Sequence, residues 1–162
     1  MWAKLGFVCI SLLLILSSLL AEALSENSIV SENLNAAAPE ASWDNALFDE
    51  FDVTCDGNPD AIAVSTADKT VWLGVVQNSN AQTSSATTIM RFSIGAESQN
   101  SFCARPLRIV SYPVVCEDED IGVLPGCKPI KGCIAFSIAD DECDSFNFYW
   151  NSEQNSLVWW RR

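Results

Sequence analysis

The sequence contains no histidine, and this absence removes several classes of chemistry. Histidine is the one side chain whose unperturbed pKa lies near neutrality. A chain without it has no Ser-His-Asp or Cys-His nucleophile and no imidazole general base. A structural zinc site is not expected either, because no Cys-x-x-Cys pair occurs. An enzyme with this sequence would have to work with carboxylates.

Positive charge is scarce as well. Lys and Arg together number 9 against 21 Asp and Glu, which gives a formal net charge of -12. Such a balance argues against nucleic acid or an anionic membrane as a partner and favours cations or basic proteins. No Asn-x-Ser or Asn-x-Thr acceptor is present, so N-glycosylation is not expected.

Long apolar runs are missing except at the beginning of the chain. Residues 1–25 carry Lys4, then the apolar run "LGFVCISLLLILSSLL" and the small-residue segment "AEALS". This pattern predicts a signal peptide cleaved after Ala23 or Ser25, because the run is shorter than the ~20 residues that span a bilayer. We therefore expect a secreted, extracellular protein with no membrane insertion after signal cleavage.

Cysteine usage agrees with that compartment. Of the 7 cysteines, Cys9 lies in the predicted signal peptide, which leaves six. An even number in a secreted chain predicts three disulfides. Six cysteines allow about 15 pairings, and the sequence does not choose among them. The predicted disulfide cysteines are Cys55, Cys103, Cys116, Cys127, Cys133 and Cys143.

The remaining chain divides into an arm and one domain. Residues 26–42, "ENSIVSENLNAAAPEAS", are polar and rich in small residues, which predicts a flexible, disordered arm. Residues 43–162 form the predicted cysteine-rich β domain. A helical turn is expected at its start, because Ser42 can cap a helix and Trp43, Leu47 and Phe51 follow at a spacing of four.

After Phe51 the hydrophobic period changes to two. Phe146, Phe148 and Trp150, for example, alternate with polar or amphipathic residues, as the buried face of a strand requires. About eight short strands separated by turn residues predict a mainly β fold, a single disulfide-stapled antiparallel sandwich or barrel. Besides the strand around Phe51, the predicted segments are 61–66, 70–77, 87–94, 107–116, 132–139, 145–150 and 156–162.

Two acidic runs, at 117–120 and 140–144, are the first candidate site. If the disulfides brought these runs together, the carboxylates would need a cation or a basic partner. Calcium binds such oxygen ligands in loose geometry, although no EF-hand loop is present. Solvated loops, a calcium site and a site for a basic protein or peptide remain open alternatives. The calcium hypothesis rests on Glu117, Asp118, Glu119, Asp120, Asp140 and Asp141.

The last hairpin, 145–162, carries a second candidate site. It contains six aromatic residues, and Trp159 and Trp160 must point to opposite faces of a strand. One interpretation places Phe146, Phe148, Trp150 and Trp159 in the core, with the other aromatics covering an edge. The other is an exposed surface for a sugar ring or a protein. That surface would consist of Tyr149, Trp160, Arg161 and Arg162.

These features predict a secreted, acidic, disulfide-rich binding or structural protein that recognises a protein or glycan outside the cell. A matrix component, a secreted effector and a ligand trap all fit this description. We expect no enzymatic activity and no cofactor. One alternative is a calcium-binding acidic matrix protein. Another is a carboxylate-dependent hydrolase acting through residues such as Asp118 and Asp140.

Overall fold

The computed structural model describes residues 29–78, 86–95 and 98–162. The predicted signal peptide, with Cys9, and residues 26–28 of the predicted arm lie outside the described residues. Within the described ranges, no helix is both long enough and apolar enough to cross a membrane.

Two sheets make up most of the fold, which confirms the mainly β prediction. The first contains five strands in the order β1-β2-β3-β4-β5 and curls into a half-barrel. Its strands are β1 (Leu47–Phe51), β2 (Asp60–Ala67), β3 (Thr70–Val76), β4 (Thr87–Ile94) and β5 (Ser101–Phe102). Neighbouring strands are antiparallel except β5, which runs parallel to β4.

The second sheet contains four antiparallel strands in the order β11-β10-β9-β6. They are β6 (Arg108–Pro113), β9 (Ile134–Ala139), β10 (Phe146–Asn151) and β11 (Ser156–Trp160). A short hairpin of β7 (Glu117–Asp118) and β8 (Gly122–Val123) stands apart from both sheets. The described residues thus contain eleven strands, three of them only two residues long, so the predicted number of about eight is not confirmed.

One hydrophobic core lies between the two sheets. Val64, Leu73 and Phe92 of the first sheet contribute to it, together with Phe136 and Phe148 of the second. The rings of Phe136 and Phe148 stack at 4.8 Å between centroids. In β4 and β10 the side chain of every second residue points into this core, as the period of two predicts.

The structure corrects the prediction of a disordered arm. Residues 29–37 form a helix, α1, that packs on the other face of the first sheet. Val30, Leu34 and Ala38 recur every four residues and are buried there. Ala is the strongest helix former, so the alanines among these small residues support a helix rather than a flexible arm. Gly74 of β3 leaves room for the close approach of Leu34.

The predicted helical turn near Trp43 is shorter than expected. A 3-10 helix covers only Trp43–Asn45, and the side chain of Ser42 makes no capping hydrogen bond. Leu47–Phe51 is a strand paired with β2, because the edge of β2 offers it a full ladder of hydrogen bonds. Trp43 is buried against α1, and its indole N–H donates to the carbonyl oxygen of Ala38 at 3.0 Å.

Three disulfides form, as predicted. Cys55–Cys133 joins the segment after β1 to the segment before β9, and Cys103–Cys143 joins the segment after β5 to the segment after β9. Both therefore link the first sheet to the second, at opposite ends of β9. Cys116–Cys127 closes a local loop around the β7–β8 hairpin.

Candidate functional site

The candidate site is a cleft on the outer face of the second sheet, the face turned away from the main core. We call it the outer cleft. Its floor comes from β6, β9, β10 and β11, and its wall from the segment 115–124 within and beside the Cys116–Cys127 loop. Its volume is about 390 Å³. This volume lies within the range of roughly 300–1,000 Å³ that is usual for ligand sites.

The floor of the outer cleft is aromatic and polar. Asn147 of β10 lies opposite Trp160 of β11, so both side chains share the outer face. The phenol oxygen of Tyr112 lies 3.3 Å from the side-chain oxygen of Asn147, to which the hydroxyl can donate. Burial, with a contribution from the charge of Asp118, raises the pKa of Tyr112 to about 12. Tyr112 is therefore a neutral hydroxyl at physiological pH.

Tyr149 anchors the wall of the cleft to its floor. It is buried, and its hydroxyl donates to the carbonyl oxygen of Pro125 at 3.0 Å. Asn151 donates to the same oxygen at 3.0 Å. Leu124 is buried against Tyr149 and Ala135. These contacts hold the Cys116–Cys127 loop, and with it the wall of the cleft, against the sheet.

One rim of the outer cleft is an ion-pair network. Arg162 lies with its Nη2 atom 3.1 Å from Asp118 and its Nε atom 3.2 Å from Asp120. The Asp118 carboxylate also accepts the backbone N–H groups of Asp120 at 3.0 Å and Ile121 at 3.3 Å, which closes the β7–β8 turn. The hydrogen bond from Asp120, together with Arg162, lowers the pKa of Asp118.

Two other carboxylates of the cleft are not paired in this way. Glu117 and Asp144 both line it, and both are exposed. Neither has an ion-pair partner among the residues that the structure describes. With Asp118 and Asp120 compensated by the single charge of Arg162, the cleft has an excess of negative charge.

Aliphatic side chains stand beside the cleft on the same loop. Val115, which lines the cleft, is 60% exposed, and Ile121 and Val123 are 44% and 74% exposed. Val123 pairs with Glu117 across the hairpin, so their side chains share one face. A loop braced by a disulfide and by buried Leu124 thus presents apolar groups to solvent next to carboxylates.

The structure separates the six residues of the calcium hypothesis. Asp140 is buried, and its carboxylate accepts backbone N–H groups of Cys103, Ala104, Glu142 and Cys143. Burial acts to raise its pKa, but these four hydrogen bonds outweigh burial and the pKa lies below its usual value. Asp141 is instead ion-paired with Arg108. Asp140 therefore supports the Cys103–Cys143 bridge.

Because Cys116 pairs with Cys127, Glu117, Asp118, Glu119 and Asp120 lie on a separate loop from Asp140. In ranges 29–78, 86–95 and 98–162, no group of three or more acidic or cysteine side chains is arranged to hold a metal ion. The geometry therefore gives the calcium hypothesis no support.

The geometry also gives little support to the hydrolase alternative. A carboxylate general acid needs a raised pKa, whereas the pKa values of Asp118 and Asp140 are both lowered. Burial does raise the pKa of Asp60. Its carboxylate, however, accepts the backbone N–H groups of Val53 and Thr54 in the loop between β1 and β2 and of Asn78 after β3, so it fixes both segments.

The structure divides the predicted aromatic surface. Trp160, Arg162 and Tyr149 all line the outer cleft, but Tyr149 is buried rather than part of an exposed surface. Arg161 points to the other side of β11, where its guanidinium lies 4.7 Å from the ring centre of Phe146. It donates to the carbonyl oxygen of Ser101 at 2.6 Å and thereby ties β11 to β5.

Sequence reasoning missed several residues of the cleft. Neither Tyr112 nor Asn147 is a predicted site residue, although both stand at the outward positions of their alternating strands. Asp144 belongs to the acidic run 140–144 but is not one of the six residues of the calcium hypothesis. The sequence does not show that β9 pairs with both β6 and β10. These two pairings bring Tyr112 and Asn147 onto one face of the sheet.

Comparison with known proteins leaves the identity of the chain open. No protein-family model, no curated protein and no solved structure matches it.

Proposed function

We propose that the chain is an extracellular binding protein that recognises another protein through the outer cleft and the apolar residues beside it. The three intramolecular disulfides are compatible with an extracellular, disulfide-rich protein. The observation that carries the proposal is the exposure of Val115, Ile121 and Val123 on a braced loop that also forms the cleft wall.

Exposed aliphatic groups favour a protein over a glycan as the partner. Protein interfaces combine an apolar centre with a polar, solvated rim. A sugar is held by aromatic faces and hydrogen bonds and gains little from isolated valine and isoleucine side chains. Trp160 and Tyr112 would serve either ligand, so the aliphatic residues decide between the two.

Rigidity supports binding as well. Cys116–Cys127 closes the loop, Tyr149 and Asn151 hold Pro125, and Leu124 is buried. A surface that is ordered before the encounter loses less conformational entropy on binding.

A displayed peptide library tests the proposal. Selection uses the oxidised wild-type protein, and the selected binders are measured against the Ile121→Ser/Val123→Ser variant by calorimetry. Removing two exposed aliphatic contacts should weaken binding by about tenfold or more. The matched control is Leu47→Ser/Phe48→Ser, which alters two residues of β1 that are 40% and 50% exposed. The control should bind within about twofold of wild type, since hydrophobic side chains outside an interface contribute little to affinity.

A glycan array run in parallel distinguishes the alternatives. Binders that lose affinity equally in both variants, or a library without any binder specific for the protein, would contradict protein recognition at this site. If a glycan perturbs the Trp160 indole resonance and no peptide does, the ligand of the cleft is a carbohydrate and not a protein.

A further inference from the structure

We infer that the outer cleft accepts an arginine side chain of the partner protein. This inference rests on the proposed function and names the chemical group that the cleft recognises. It follows from three features of the cleft: its unpaired carboxylates, its aromatic floor and the arginine of this chain that already lies at its rim.

Arg162 shows that the rim fits a guanidinium. One edge of the group reaches Asp118 through Nη2, and Nε reaches Asp120, so a single planar cation bridges two carboxylates of the β7–β8 turn. A lysine ammonium could not make two directed contacts of this kind from separate nitrogen atoms. The Asp118 carboxylate is held in place by the two backbone N–H groups that it accepts.

Arg162 leaves the other carboxylates of the cleft without a cation. Glu117 and Asp144 line the same cleft from the hairpin and from the segment before β10. Neither makes an ion pair within the described parts of the chain. A guanidinium entering the cleft would find these two carboxylates available as acceptors and would reduce the excess of negative charge there.

Aromatic side chains favour the same ligand. Trp160 is partly exposed and lines the cleft, as does Tyr112. A guanidinium stacks on such rings through its planar face while its edges donate hydrogen bonds. Val115, which lines the cleft, suits the apolar stem of an arginine. Ile121 and Val123, which stand beside the cleft, suit apolar neighbours of that arginine in the partner.

A pair of small probes tests the inference directly. Nα-acetyl-arginine methylamide and its citrulline counterpart have nearly the same shape, but only the first is charged. Each is titrated into the isotope-labelled wild-type protein at low ionic strength, where screening is weak. The readouts are the indole N–H resonance of Trp160 and the Nε–H resonance of Arg162. The arginine probe should bind about tenfold more tightly than citrulline, as expected for charge-assisted hydrogen bonds.

Two pairs of variants separate the cleft from general electrostatics. Glu117→Gln/Asp144→Asn should remove the preference for arginine, whereas Asp44→Asn/Glu153→Gln makes the same charge change at exposed positions outside the cleft and should retain it. Arg162→Gln frees two carboxylates and should strengthen arginine binding severalfold. Lys69→Gln, with the same charge change in the turn between β2 and β3, should not.

Equal binding of arginine and citrulline, or equal loss in both double variants, would overturn the inference. A peptide ligand that depends on Ile121 and Val123 but contains no arginine would also overturn it, while leaving the proposed function intact. If arginine binds as expected and no protein ligand depends on the apolar residues, the proposed function fails and the cleft is a site for free cationic ligands.

Discussion

The close packing of α1 on β3 predicts how substitutions at Leu34 and Gly74 change the free energy of unfolding. A methyl group added at Gly74 would overlap the Cδ2 atom of Leu34 and would lie 3.1 Å from Cη2 of Trp43. Gly74→Ala should therefore destabilise the protein by about 1–3 kcal/mol through overpacking. The smaller conformational entropy of alanine in the unfolded chain offsets about 0.4–1 kcal/mol of this.

Leu34→Ala alone should destabilise the protein by about 2–5 kcal/mol, because Leu34 is 3% exposed and its removal leaves a cavity. In the double variant the new methyl group occupies part of that cavity. The two effects should then fail to add, with a favourable coupling of about 1 kcal/mol or more.

Urea unfolding of the oxidised proteins measures each free energy of unfolding, with tryptophan fluorescence as the probe. Gly74→Ala combined with Val30→Ala is the control, since Val30 is buried in the same helix but is not among the atoms nearest to position 74. This pair should be closer to additive. Additivity of Leu34→Ala and Gly74→Ala within about 0.5 kcal/mol would refute the close packing of α1 on β3.

Two further predictions concern ionisable groups. Asp140→Asn removes a charged acceptor of four backbone N–H groups and should cost about 1–3 kcal/mol. The pKa of Asp140 is lower in the folded than in the unfolded protein, so its stabilisation is present above the unfolded pKa and is lost as pH falls through the folded pKa. The free energies of unfolding of wild type and Asp140→Asn, measured in urea, should therefore differ at neutral pH and converge at acid pH. A constant difference at all pH values would contradict this. Tyr112 should ionise near pH 12, and because its folded pKa is raised, its contribution to stability is lost as pH rises from about 10 towards that value. Ultraviolet absorbance titration of wild type and Tyr112→Phe measures this step, and a tyrosine step near pH 10 that disappears in the variant would disprove the burial argument.

Local alternation in the sequence was sufficient to predict the β class and several strands. The segment 87–94 coincides with β4, and Phe146, Phe148 and Trp150 enter the core as their spacing indicates. Each of these strands has two chemically different faces, so a period of two is visible without any knowledge of the partner strand.

Residues 29–51 were predicted less well, for a physical reason. Val30, Leu34 and Ala38 offer only a narrow apolar stripe, whose burial depends on Gly74 and the small residues Ala61 and Ala63 in distant strands. Leu47–Phe51 has a spacing compatible with a helix, but pairing with β2 decides its conformation. Tertiary packing therefore buries a helix that local preference already allows in the first segment, and it overrides local preference in the second.

The candidate site was predicted only in part because it is assembled by register and disulfide pairing. Trp160 is predicted because adjacent Trp159 and Trp160 must point to opposite faces, and Arg162 because it flanks them. Glu117 and Asp118 are predicted from their charge. Their meeting with Tyr112 and Asn147 requires the β6–β9–β10 pairing, and the separation of Asp118 from Asp140 follows from the Cys116–Cys127 bridge.

The different placement of the three disulfides has a consequence for variation of the protein. Cys55–Cys133 and Cys103–Cys143 tie the two sheets together, whereas Cys116–Cys127 encloses a short segment that neither sheet needs for its own pairing. The pairing of the two sheets therefore does not depend on the sequence of this segment. We expect positions 117–123 to accept substitution without loss of either sheet, provided that Leu124 and the carbonyl group of Pro125 keep their contacts with the second sheet.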